Sequence, residues 1–304
     1  MGFSLDFFLR WNKVEQIAML RQSNGKFVAP LPLISAHGKL AMTTLIPIIV
    51  AIAIAISPVG AETDLATHVA NNLVEPTANI AKRKVLYLTH SAGFKHDVLP
   101  LSEQILKQIG ERSGAFEVTA TQDCSALSRD GLKPYDVVVF YTTGELPISD
   151  AQRAAFLDFI RSGKGFVGIH SATDTFYKWP EYGELIGGYF DQHPWHQEVA
   201  INVEDQRHPA TRHLGKSFKI TDEIYQFKDF SRTRVHVLLS LDASSVDLNK
   251  PAVHRRDKDF ALAWWRNYGN GRVFYTALGH RPEVWQDERF QQHLLGAVRW
   301  AMGL

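Results

Sequence analysis

The chain has 304 residues, with 33 Lys and Arg against 32 Asp and Glu, 13 His and one Cys. A net charge of +1 without any basic block excludes the electrostatic footprint of a nucleic-acid binder or of a protein held on an anionic membrane. The single Cys124 excludes an internal disulfide framework and a cysteine-based zinc motif, and the length allows one large domain with a sizeable core.

Thr44 to Ile56 is an apolar run rich in Ile and Ala, with Lys39 upstream and the small-residue pattern Val59-x-Ala61 behind it. This predicts a secretory signal peptide over 42–61, too short for a comfortable membrane span. Met42 or an earlier Met is then the natural start, residues 1–41 an upstream extension, 62–82 a linker and 83–304 the folded domain. The expected location is periplasmic or secreted. The alternative is an N-terminal anchor that stays uncleaved.

Lys84-Val85-Leu86-Tyr87-Leu88-Thr89 reads as a buried strand running into a small-residue loop that carries His90 and His96. A helix follows, with Pro100 tolerated in its first turn and Leu101, Ile105 and Ile109 on one face. Phe116–Ala120 alternates as a more exposed strand, and Tyr135–Tyr141 is a continuously apolar, central one. Ser149 and Gln152 stand at capping-box spacing before a helix with Phe156, Leu157 and Ile160 on one face, which Gly163 can end. The apolar strand Gly165–Ile169 comes next and stops abruptly at His170-Ser171. This alternation between residues 84 and 169 predicts an α/β fold, a doubly wound and mostly parallel sheet.

The pattern then changes. Residues 172–196 are rich in aromatics, Gly and His, and short alternating segments follow at Glu198–Val203, Phe218–Ile220 and Val235–Leu241, read as a β-rich insertion. Gly269-Asn270-Gly271 marks a hairpin between Phe260–Trp265 and Arg272–Ala277. The chain closes on an amphipathic helix with Phe290, Leu294, Ala297, Val298 and Ala301 on one face.

His90, His170 and His280 each fall at or just beyond a strand end. A parallel sheet gathers such ends on the rim where ligands bind, and imidazole suits proton transfer or metal ligation there. Asp222-Glu223-Ile224-Tyr225 is read either as a second catalytic group or as a solvated turn. His193-x-x-His196 and the strand-end histidines, with Glu223, are candidate ligands for a zinc-like divalent ion. Trp179, Tyr182, Trp195, Trp264 and Trp265 offer either stacking surfaces for a pyranose ring or core. Ser171 lacks the G-x-S-x-G elbow of a serine hydrolase.

In their order, Thr89-His90, Gly168-Ile169-His170-Ser171, His193-Pro194, Asp222-Glu223-Ile224-Tyr225, Ala263-Trp264 and Gly271-Arg272-Val273-Phe274-Tyr275 followed by Gly279-His280 resemble the ThuA-like (trehalose utilisation) family. The resemblance spans about 84–302 and implies a class I glutamine amidotransferase-like, flavodoxin-like fold. It also marks a departure, because His170 takes the place of the amidotransferase cysteine and Cys124 lies elsewhere. Thioester chemistry on glutamine is therefore not expected. The family implies sugar catabolism, with a small-molecule carbohydrate as partner: a trehalose-like disaccharide or its 3-keto derivative. On that basis His170 or Glu223 is the expected base, His280 the acid, and His90 and Tyr225 orienting groups. His96, Ser171, His193, Asp222, Tyr225 and Trp264 are the expected substrate contacts. The competing readings are a non-catalytic carbohydrate-binding protein and an esterase or amidase using Ser171.

Overall fold

The computed structural model describes residues 82–304. The expected extension, signal peptide and all but the last residue of the linker lie outside the described residues. Nine strands form one sheet in the order β2-β1-β3-β4-β9-β8-β7-β5-β6. They are β1 Arg83–Leu88, β2 Phe116–Thr121, β3 Val137–Phe140, β4 Gly165–Ile169, β5 Tyr189–Val203, β6 Ser217–Lys228, β7 His236–Leu241, β8 Ala261–Tyr268 and β9 Gly271–Thr276. The helices are α1 Leu99–Ser113, α2 Arg129–Leu132, α3 Asp150–Arg161, α4 Pro180–Ile186, α5 Pro282–Gln286 and α6 Glu288–Ala301.

The half formed by β2, β1, β3, β4 and β9 is parallel. All four residues of β3 and all five of β4 are buried, as expected of strands covered on both faces. Each large apolar side chain buried there contributes about 1.5–3 kcal/mol. Phe156 of α3 packs on Phe140 and Phe166 from one face. His293 of α6 packs on Phe274 from the other. The sheet is therefore doubly wound, and β2 at its edge is the more exposed strand.

The Ser149–Gln152 capping box forms, and Gly163 beyond α3 takes φ +115°. Between β2 and β3 the connection uses only a 3-10 turn and the one-turn helix α2. The β-rich insertion extends the same sheet through the antiparallel strands β8, β7, β5 and β6. Its strands are longer than the sequence suggests. β5 runs through the aromatic, His-rich stretch, and β6 continues past Ile220 to Lys228, so Asp222, Glu223 and Tyr225 lie in a strand and not in a solvated turn. The apolar alternation fails as a guide here because polar site residues occupy inward positions. Register shifts at Phe190/Gln192 and Gln192/Trp195 bend β5, as bulges do, and carry the β5–β6 ribbon over the carboxyl ends of the parallel strands.

Of the five aromatics read as stacking surface or core, Trp265 is partly buried and packed against the core, and the other four are core. Trp179, Tyr182, Trp195 and Trp264 are all buried. The Trp264 indole N–H donates to the Ile186 carbonyl at 2.8 Å, so its expected role as a substrate contact is corrected to packing. Trp195 likewise donates to the Asp247 carbonyl. Among the described residues no helix is long and apolar enough to cross a membrane.

Candidate active site

β4 ends at Ile169, and the chain turns sharply at His170 with φ +46°, a left-handed conformation that a β-carbon disfavours. Two contacts hold it there. The Tyr275 hydroxyl donates to the His170 carbonyl at 2.7 Å. The His170 Nδ1–H donates to the Ala277 carbonyl at 2.7 Å, a contact that the β4–β9 register sets by pairing Ile169 with Thr276. A carbonyl can only accept, so Nδ1 carries a proton and Nε2 is the nitrogen turned to the interior. That Nε2 lies 3.0 Å from the Tyr225 hydroxyl, 3.2 Å from Glu223 Oε2 and 3.2 Å from His280 Nδ1.

His280 stands in the loop after β9, where Gly279 takes φ +121°, a conformation open to glycine at little cost. Asp222 pins this loop. Its Oδ2 accepts from the Gly279 N–H at 2.7 Å and its Oδ1 from the Arg281 N–H at 3.2 Å. The Gly279 carbonyl accepts from Tyr141 and from the Trp285 indole. Burial pushes the Asp222 carboxyl above its ordinary range, against the pull of His170 and of the Gly279 and Glu223 backbone N–H groups. Asp222 is wholly buried, and its expected substrate contact is corrected to holding the His280 loop.

Strand alternation puts Glu223 and Tyr225 on one face of β6, and His196 is the cross-strand partner of Glu223. Burial works against the Glu223 carboxylate, yet the hydrogen bonds and charges of His170 and His280 outweigh it and hold its pKa well below the usual range. The same bond to Glu223 raises His280, opposed by burial. His96, just before α1, completes the group. Burial first, then the neighbouring His170 and His280, lower it to about 3, so it stays neutral. Its Nδ1 is buried without a hydrogen-bond partner among the described residues.

Four groups thus converge: ligand atoms of His96, His170, His280 and Glu223 lie within 4.8 Å of one another. His193 and His196, half exposed on β5, meet the other oxygen of the same carboxylate at 3.5 and 2.9 Å. Of the expected residues, the structure brings together His96, His170, His193, Glu223, Tyr225 and His280. It does not bring His90, whose Nδ1–H donates to the Gln122 carbonyl at 2.8 Å beside the sheet edge. Ser171 is fully buried with its hydroxyl unpartnered, which leaves the esterase reading no exposed nucleophile. Cys124 is buried in the turn after β2, and burial pushes its thiol up to about 11.

The supporting contacts made by Ala277, Gly279 and Tyr141 carry no sequence signature, because they act through backbone carbonyls or through a residue that reads as core. His196 does have a signal, its His-x-x-His spacing with His193.

Five parallel strands with helices on both faces, and a polar cluster at their carboxyl ends, define a class I glutamine amidotransferase-like α/β protein with a histidine at the sharp turn after β4. The profile of the ThuA family, described as trehalose utilisation, matches residues 84–301, and the chain belongs to that family. It is similar to a ThuA-like protein from Bacteroides uniformis, at 28% identity and a TM-score of 0.61 over 72% of this chain and 91% of that one. A ThuA-like protein from Parabacteroides merdae shares the fold, at 23% identity and a TM-score of 0.58 over 73% of this chain and 90% of that one. No curated protein matches the chain. The family's description points to sugar catabolism.

Proposed function

We propose that the chain is an exported enzyme of sugar breakdown, acting on trehalose-like disaccharides or their 3-keto derivatives, and that His96, His170, His280 and Glu223 hold a divalent, zinc-like cation. The observation that carries this reading is a triangle. His170 Nε2, His280 Nδ1 and Glu223 Oε2 are separated by 3.2, 3.2 and 3.3 Å. Two ligands each about 2.1 Å from one ion, at tetrahedral or octahedral angles, stand about 3.0–3.4 Å apart. The His170 Nδ1–H bond to a carbonyl is the outer contact that fixes a ligating imidazole, and the unpartnered Nδ1 of His96 marks a ring that the protein alone does not satisfy.

Placement speaks against His170 as the base, because it has no exposed surface on which to meet a substrate. Glu223 is nearly as enclosed. Both suit ligation better. A bound cation supplies polarisation of a sugar carbonyl or hydroxyl pair. The half-exposed His193 and His196 and the exposed Phe94, whose ring meets His96 edge-on at 4.9 Å, leave the cluster open to a small ligand on that side. On a 3-keto disaccharide the keto group acidifies the adjacent C–H. Loss of that proton with cleavage of the glycosidic C–O bond, the proton passing to the departing oxygen, balances without a redox partner.

The test is elemental analysis of the purified protein and of His170→Ala, beside turnover of trehalose and 3-keto-trehalose. Stoichiometric zinc, manganese or iron that the variant loses together with turnover is the expected result. Absence of metal with turnover intact removes the cation. Sugar binding without turnover in the wild type makes the chain a carbohydrate-binding protein. Mass spectrometry of the secreted form is expected to place the mature N-terminus just after Ala61; retention of the preceding apolar run overturns export by cleavage.

A further inference from the structure

We propose that Glu223 bridges two cations, the second held by His193 and His196; this rests on the cation reading of the first cluster. The two carboxylate oxygens are divided between two sets of imidazoles. Oε2 faces His170 and His280 at 3.2 and 3.3 Å, whereas Oε1 faces His196 and His193 at 2.9 and 3.5 Å. His193 Nδ1 and His196 Nε2 are themselves 3.1 Å apart. The second triangle, with edges of 2.9, 3.1 and 3.5 Å, therefore brackets the spacing that ligands of one ion adopt. A bridging carboxylate of this kind belongs to two-metal sites, whose ions stand about 3.5–4 Å apart.

Backbone geometry places the second set. The register shifts in β5 fall at Phe190/Gln192 and Gln192/Trp195, around His193, and beyond them His196 pairs across the ribbon with Glu223. A regular strand points residues three apart to opposite faces; the irregular ribbon brings His193 and His196 to one carboxylate oxygen.

The two sites differ in a way that assigns them different work. The first is the more enclosed, with His96 and His170 buried and His280 partly exposed. In the second both imidazoles are 45% exposed, so three protein ligands leave positions open to solvent, the arrangement of a catalytic ion. One carboxylate shared between two dications leaves the pair strongly positive. The second ion is therefore the weaker bound, and the site favours a ligand that brings negative charge or adjacent oxygens, such as the enediolate of a keto sugar or a vicinal diol.

The experiment is titration of the chelator-stripped full chain with Mn2+, and separately with Zn2+, by calorimetry, with electron paramagnetic resonance of the Mn2+ form. Two equivalents per chain are expected, the second weaker, with a spin-coupled Mn2+ spectrum. The double variant His193→Ala/His196→Ala, whose sites are half exposed and whose fold is checked by circular dichroism, is expected to bind one equivalent with an uncoupled six-line spectrum. A single equivalent unchanged in the double variant overturns the bridge and leaves the first site standing. Two equivalents that persist in the variant, or an uncoupled spectrum at two equivalents, overturn it as well. No binding of either ion removes both sites.

Discussion

His170 donates through Nδ1 to the Ala277 carbonyl at 2.7 Å, and that bond decides which nitrogen the ring offers to Glu223. Two variants separate the anchoring nitrogen from the facing one. In His170→Asn the amide can reach the Ala277 carbonyl but not the cluster, so the fold is expected to hold while cation binding is lost. In His170→Gln the longer side chain reaches the Nε2 position and retains weak binding. Melting temperature and metal content, read together, check this. Equal affinity in the two variants would show that Nε2 is not a ligand.

Asp222 acts at one remove, through two backbone N–H groups. In Asp222→Asn one carboxylate oxygen becomes an NH2 that confronts an N–H, leaving a buried donor unsatisfied at a cost of about 1–3 kcal/mol. The loop carrying His280 loosens, and cation affinity is expected to fall about 10–100-fold, as when other outer contacts of a metal site are removed. Calorimetric titration and chemical denaturation measure the two effects. Lost stability with unchanged affinity would reduce Asp222 to a purely structural group.

The parallel half of the fold and the strand-end histidines are legible from local signals: a capping box at Ser149, a continuous apolar β4, and His170 and His280 just beyond parallel strands. The ribbon is not, because β5 and β6 are long strands whose inward positions carry His196, Glu223 and Tyr225, so polar site residues interrupt the alternation that announces a strand. His90 shows the opposite failure. It shares the strand-end placement, but β1 lies beside the edge strand β2, and there its ring is used by the Gln122 carbonyl. Trp264 misleads because an indole reads alike in a core and on a stacking surface; only its bond to Ile186 decides.

Phe94 is 66% exposed, the largest such value among the exposed large apolar side chains described, and stands edge-on to His96. Exposure of a phenyl ring beside a polar cluster has no stabilising use in the free protein, and a sugar ring can cover it. Phe94→Ala is expected to leave the melting temperature within a degree or two while raising the KM for a disaccharide several-fold with kcat little changed. A fall in kcat at constant KM would contradict this stacking role.

The acid side of the stability profile follows from histidines outside the site. Burial, with a smaller opposing bond to the Ala210 carbonyl, lowers His293 to about 3, and burial lowers His208 to about 4. Both are kept neutral in the folded chain and gain protons in the unfolded one below about pH 6.5. Between that value and the folded pKa the unfolded state holds more protons, so stability rises with pH and is lost as pH falls through this window. The melting temperature is expected to drop steadily from pH 6.5 to 4. His293 packs against Phe274 and Phe290, so His293→Phe keeps an aromatic ring there and gives up only the Ala210 bond and the titration. Its melting curve is expected to fall less steeply over the same range. An equal slope in variant and wild type would show that His293 is not among the groups that make this fold sensitive to acid.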